Sequence, residues 1–300
     1  MQKIEHRLIQ IKDTISYSNP QISFEFFPPR SEVALENLKE TIISLEKLNP
    51  EYVSVTYGAG GSTKDATYEL VKYIKENTSL NPAAHLTCVN ATKEQVNKLA
   101  RSYLDIDVKH IVALRGDVPG GGAYTPSSEG YAYADDLVAG LKEVGDFDIS
   151  VAAYPEVHPQ ALSPEADLEH LKRKMDAGAN QAITQYCFDT DKIIDFITRA
   201  KNLGVNDITP GIVIMNRFDQ LISFSKRCGA EIPNWMYQIF DGLDETPASR
   251  DAAAAYIAVE QCRLLMQHGI NKFHFYTLNR YDLTASICHL LGVNNATKNS

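Results

Sequence analysis

Short apolar, β-branched and aromatic runs return along this chain at near-regular intervals, at 22–27, 52–57, 83–88, 110–115, 149–154, 181–186, 208–214 and 272–278. Between most of them the apolar spacing changes from two to the three-and-four pattern of a helix, as in 31–48 with Leu35, Leu38, Ile42 and Leu45, and again in 92–104 and 133–144. The segment 164–176 carries its own punctuation: Ser163 as N-cap, Pro164 in the first turn and Gly178 just beyond the end. Strand–helix repeats predict right-handed crossovers and a parallel sheet. Eight of them predict an α/β chain folded as a single (β/α)8 TIM barrel over residues 21–295, preceded by an N-terminal helical extension at 1–20. The long interval before the eighth strand, ending in an Ala-rich helix over about 247–268, predicts an inserted helix between strands seven and eight. No strand leads into a Gly-x-Gly-x-x-Gly turn, which argues against an open dinucleotide-binding sheet.

Composition narrows the picture. The formal net charge of −9 excludes a general nucleic-acid binder, which needs a concentrated basic surface. The five cysteines, Cys88, Cys187, Cys228, Cys262 and Cys288, are scattered and form no Cys-x-x-Cys pair, so neither a disulfide framework nor a thiolate metal site is expected. The charged N-terminal stretch lacks the apolar core of a signal peptide, and no apolar run is long enough to span a bilayer. The expectation is a cytoplasmic protein with no membrane partner.

Chemistry concentrates where the strands end. Thr56, His85, Arg115, Asp117, Tyr154, Gln185 and Arg280 all fall at or near C-terminal strand ends, the edge on which barrels build their active sites. Glu25 sits between Phe24 and Phe26, with Ser23 on its own face, and Pro28 and Pro29 stop the strand at once. The period of two turns Ser23 and Glu25 into the lumen near the rim. A carboxyl in a dry pocket has its pKa raised, which suits a general acid. The alternative is a lumen carboxylate satisfied by a neighbouring arginine or threonine. The stretch 113–122 ends a strand in Arg115-Gly116-Asp117 and continues into a glycine-rich loop that lets backbone approach a ligand closely. On the helix 164–176, Asp167, His170 and Lys174 share a face beside Arg173, a surface that could hold a diphosphate or simply be solvated. Glu156 and His158 lack a third ligand at a metal-site spacing, so no metal is expected. A Gly-x-Ser-x-Gly elbow and a mid-strand lysine are both missing, which lowers the odds of acyl-transfer or Schiff-base chemistry.

Together the runs at 23–30, 52–59, 85–88, 110–117, 148–159, 171–180, 182–189, 236–244 and 273–280 resemble the methylenetetrahydrofolate reductase family in its short bacterial form, in the family's order and over nearly the whole chain. The resemblance implies a barrel holding non-covalent FAD. Hydride would pass from NADH or NADPH to 5,10-methylenetetrahydrofolate, giving 5-methyltetrahydrofolate for methionine synthesis, in a chain that is often homo-oligomeric. It implies Glu25 as general acid and Asp117 as the aspartate beside flavin and pterin. Thr56, Tyr57, Ala59, His85, Arg115, Gly116, Asp117, Tyr133, Ala134, Tyr154, His158, Ala161, Asp167, His170, Arg173 and Lys174 match flavin-contacting positions. Glu25, Thr56, Asp117, Gln185, Gln220 and Arg280 match the folate side, and Phe224 matches an aromatic that stacks on the bound substrate. A barrel flavoenzyme acting on another substrate such as proline, a cofactor-free lyase using Glu25 as base, and a non-enzymatic folate or flavin carrier remain as alternatives at this point.

Overall fold

The computed structural model describes residues 19–293, apart from 59–63, 119, 121, 123 and 244. The predicted N-terminal extension therefore lies almost wholly outside the described residues. In chain order the elements are β1 (Gln21–Phe26), α1 (Glu32–Glu46), β2 (Val53–Val55), α2 (Lys64–Asn77), β3 (Pro82–Thr87), α3 (Lys93–Asp105), β4 (His110–Leu114), α4 (Ala134–Val144), β5 (Asp148–Ala153), α5 (Pro164–Asp176), β6 (Gln181–Thr184), α6 (Thr190–Asn202), β7 (Ile208–Thr209), β8 (Gly211–Val213), α7 (Phe218–Cys228), α8 (Asn234–Phe240), α9 (Pro247–Gln267), β9 (Lys272–Tyr276) and α10 (Tyr281–Leu290).

Helix starts follow from local chemistry. Ser31 and Ser163 accept from the backbone N–H three residues on, and Thr92 and Gln95 form a reciprocal capping box. All strand pairs are parallel, in the order β7-β6-β5-β4-β3-β2-β1-β9-β8. The seventh predicted strand is broken at Pro210, so nine strands stand where eight were expected. Proline has no N–H to donate to a ladder. Before the break the chain pairs with β6, and after it with β9, while the Pro210 carbonyl accepts from His274 N at 2.9 Å. One bent segment thus joins the two edges of the sheet and closes the barrel. Gly211 sits at this seam, its N–H donating to Thr184 Oγ1 at 3.0 Å, with the Tyr276 hydroxyl donating to the Thr184 carbonyl at 2.7 Å.

The outward faces of the strands and the inward stripes of the helices make the main core, with Ile22, Phe24, Phe26, Phe273 and Phe275 buried together. Each such side chain removed from water contributes about 1.5–3 kcal/mol. The lumen is different: Ser23, Ser54, His110, Ser150 and His274 are all buried there. A satellite core of Tyr186, Val213, Leu221, Met236, Phe240 and Ile257 anchors the helices α7, α8 and α9, which lie between β8 and β9. The five cysteines are free. Among the described residues no helix is long and apolar enough to cross a membrane.

At the seam a Cβ on Gly211 would stand 2.2 Å from the Thr184 carbonyl oxygen and 2.5 Å from the Tyr276 ring. Backbone cannot yield cheaply there. Gly211→Ala is expected to lower stability by about 1–3 kcal/mol, read as the shift of the urea midpoint at unchanged m-value.

Candidate active site

Glu25 stands near the C-terminal end of β1, and its backbone is fixed from the neighbouring strand. Thr277 Oγ1 donates to the Glu25 carbonyl at 2.7 Å, and Asn279 binds both the N–H and the carbonyl of Phe27, at 3.1 and 2.8 Å. Asn279 reaches back because Leu278 and Asn279 both adopt left-handed backbone, with φ of 50° and 59°. The carboxylate meets two histidines: His85 Nε2 from β3 at 3.3 Å and His274 Nε2 from β9 at 3.7 Å. The His85 contact is close enough for an ion pair but too poorly aligned for a hydrogen bond. Burial alone would raise this carboxyl. Contact with the His274 and His85 imidazoles outweighs it and brings Glu25 down to about 2. The raised pKa expected from the sequence is thus reversed in the ligand-free protein, because the lumen supplies imidazoles and not the dry wall that the phenylalanines suggested. His274 is itself pushed down, chiefly by burial.

At the same end of the barrel a cavity of about 730 Å³ opens along the ends of β4 and β5 and the N-terminal ends of α4 and α5. Arg115, Gly116 and Asp117 enter it from the end of β4, Tyr57 from β2, and Tyr133 and Ala134 from the start of α4. Arg115 is held by Gln160 Oε1 at 2.6 Å and lies over the Tyr124 ring at 4.9 Å. Gly116 takes φ of 86°, and a Cβ there would meet Val89 at 2.7 Å, so the backbone passes where a side chain cannot. From the loop after β5 come Tyr154, His158 and Ala161, with Tyr154 packed edge-on to His158 at 4.7 Å. Val157 is forced to φ of 69° to turn His158 inward, a conformation a β-branched residue resists. The turn is secured by the His158 N–H donating to Asp167 Oδ2 at 2.8 Å. Asp167, His170, Arg173 and Lys174 then line the far wall from α5. Arg173 Nε binds Asp135 at 3.1 Å, and Lys174 Nζ donates to the Ala152 carbonyl. Burial brings Lys174 down to about 8 and lowers His158. In a chain of net charge −9 the cavity lining as a whole gathers Arg115, Arg173, Lys174, His158 and His170 beside Asp117, Asp135 and Asp167, and its cations are donors suited to a diphosphate.

Not every predicted residue borders that cavity. Ala59 lies outside the described residues. Glu25, Thr56 and His85 are not among the cavity's lining residues; the Thr56 backbone donates to Phe26 O at 2.8 Å and accepts from Thr67 at 2.9 Å. Gln185, Gln220, Phe224 and Arg280 are on other parts of the rim. Gln220 and Phe224 are one turn apart on α7 and share a face. Phe224 stacks on Tyr186 at 6.1 Å with its other side near Arg227, so the ring is already partly covered. Arg280 grips Asp251 of α9 through two 3.1 Å hydrogen bonds, and Asn216 donates to the same carboxylate. Burial opposes it, but Arg280 and Asn216 keep Asp251 below its ordinary range.

A family model for methylenetetrahydrofolate reductase matches residues 10–292. The chain belongs to the methylenetetrahydrofolate reductase family. Relatives within it include the 5,10-methylenetetrahydrofolate reductase of Pectobacterium carotovorum, 49% identical over 91% of this chain and 90% of that one, and that of Escherichia coli K12, 48% identical over the same shares. The Arabidopsis thaliana methylenetetrahydrofolate reductase (NADH) 1 is 33% identical, and there the match covers 90% of this chain but 48% of the plant protein. Among solved structures, an uncharacterized Clostridium thermocellum protein that binds two copies of 5-methyl-5,6,7,8-tetrahydrofolic acid superposes with a TM-score of 0.63 at 16% identity, covering 94% and 97% of the two chains. A 2,3-dimethylmalate lyase follows at 0.50 and 9%. These two likenesses concern the barrel alone.

For this member of the reductase family, motif reading missed His274 and Tyr276, as well as the residues that hold the arginines in place, Gln160, Tyr124 and Asp135. The period of two that turned Ser23 and Glu25 inward applies equally to β9, where His274 and Tyr276 register with Ser23 and Glu25. Applied there, it would have found both.

An anionic diphosphate bound beside Lys174 should restore the ammonium, so binding takes up protons where the free amine is partly neutral. Titration calorimetry of flavin-free protein with adenosine diphosphate near pH 8, in buffers of different ionisation enthalpy, is expected to show that uptake, and Lys174→Met to abolish it.

Proposed function

We propose that this chain reduces 5,10-methylenetetrahydrofolate to 5-methyltetrahydrofolate with NAD(P)H, NADH in preference, through non-covalent FAD in a ping-pong cycle that feeds methionine synthesis in the cytoplasm. Family membership supports the reaction. At residue level the reading is carried by one observation: the Glu25 carboxyl, flanked by two imidazoles, lies at the same end of the barrel as a cavity lined by Arg115, Arg173 and Lys174.

Bound FAD would supply a two-electron centre able to accept hydride from a nicotinamide and pass it to a one-carbon unit. Arg173, Lys174, His158 and His170 would bind its diphosphate, and the Gly116 backbone, Arg115 and Tyr154 would orient it. Asp117 puts a negative charge at the mouth, which disfavours further negative charge on a ring system beside it. Gln185, Gln220 and Arg280 would hold the folate, with Phe224 stacking on it once Arg227 moves aside. Glu25 would protonate a bridge nitrogen of the substrate's five-membered ring, so that the ring opens to the iminium that accepts hydride. In the ligand-free site the carboxyl is ionised. Flat ligands stacked over it exclude water, which favours its neutral form and readies it as an acid.

The purified protein is expected to be yellow, to bleach anaerobically with NADH and to recover its colour with 5,10-methylenetetrahydrofolate. A colourless protein that takes up no FAD would defeat the proposal, and recovery with proline but not with the folate would redirect it. Glu25→Gln should keep bleaching by NADH and lose recovery by roughly 100-fold or more in stopped-flow traces.

A further inference from the structure

His274 is fully buried and touches the candidate acid, and the reading above uses it only as one of the two imidazoles beside Glu25. Its two nitrogens look opposite ways. Nδ1 lies 2.7 Å from Ser23 Oγ, while Nε2 lies 3.7 Å from Glu25 Oε2 and 3.4 Å from Ser54 Oγ. The ring is packed between Tyr52, stacked at 5.6 Å, and Tyr276, edge-on at 5.4 Å, so it cannot swing away. Ser23 has a second acceptor within reach, the Phe273 carbonyl at 3.5 Å.

This arrangement gives the imidazole two settings. If Ser23 donates to Nδ1, the ring hydrogen sits on Nε2 and faces a Glu25 carboxylate as a donor. If Ser23 turns to the Phe273 carbonyl, Nδ1–H donates to Ser23 and Nε2 offers its lone pair to a protonated Glu25. The bond made by one ring nitrogen fixes the tautomer and hence the role of the other.

We infer that His274, set by Ser23, is a positioning residue for Glu25 that accommodates both the acid and the carboxylate, so that the proton can leave and return without the side chain moving. The inference rests on the general-acid reading of Glu25. The balance is one proton: it leaves Glu25 for the substrate nitrogen, and one from water returns when the mouth opens, to Glu25 or to His274 Nε2. Facing the carboxyl are Ser23 from its own strand, Tyr52 just before β2, Ser54 from β2, His85 from β3, and His274 and Tyr276 from β9. His85 has no such back partner among the hydrogen bonds of the described residues, which leaves the switching role to His274.

The test uses His274→Gln, which keeps a donor, His274→Leu, which does not, and Ser23→Ala. In the FAD-loaded protein, NADH bleaching should stay within about twofold, because the altered ring lies behind the acid. Recovery with 5,10-methylenetetrahydrofolate should slow roughly 10- to 100-fold in His274→Leu, less in His274→Gln, and its pH profile should move. In ligand-free protein with ¹⁵N-labelled histidine, the His274 ring signals, assigned by their loss in His274→Gln, should shift in both Glu25→Gln and Ser23→Ala. A merely structural histidine would slow both half-reactions together, or slow recovery with an unmoved pH profile, and either result overturns the inference. So would His274 signals indifferent to Glu25 and Ser23, a readout that survives if His274→Leu fails to fold. Full-rate recovery in Glu25→Gln would instead remove the general-acid reading, leaving the measured coupling of the two side chains to stand by itself.

Discussion

Everything at the mouth of this barrel depends on the sheet closing on itself. In a closed parallel sheet each strand must send alternate side chains into one shared interior, so residues hundreds of positions apart become neighbours. Ser23 and His274 are such a pair, and Glu25 and His274 another. The closure passes through a single bent segment in which Pro210 breaks the ladder to β6 and hands the chain to β9. Proline, usually a liability inside a sheet, is used here as the hinge of the seam.

The polar lumen that closure creates decides how Glu25 behaves. A carboxyl surrounded only by phenylalanines would hold its proton. This one is surrounded by phenylalanines on the helix side and imidazoles on the lumen side, and the imidazoles win while the site is open. Under the proposed function, flat ligands covering it would favour its neutral form, because removing water strengthens the burial effect without removing the histidines. Catalytic competence on this view belongs to the filled site.

The architecture was readable from alternation alone, since eight apolar runs separated by helical spacing leave few topologies, and the cap at Ser163 fixed one helix start closely. The break at Pro210 was written in the sequence as well, but a run of apolar residues on either side hid it. The cavity-lining residues of β4, β5 and α5 came from motifs matched whole. What stayed invisible were properties that depend on partners from other strands. The direction of the Glu25 shift needs His85 and His274, and the grip on Arg280 needs Asp251 on a distant helix. Single-strand reasoning sees a residue's face and misses who stands opposite.

The clamp on Arg280 has a consequence of its own. Of the guanidinium's five N–H groups, two already point at Asp251, and much of its charge is met there. What remains for an incoming molecule is a rigid, planar edge with muted attraction. Such an edge discriminates by outline, rewarding partners whose acceptors match its fork and giving little to anions in general.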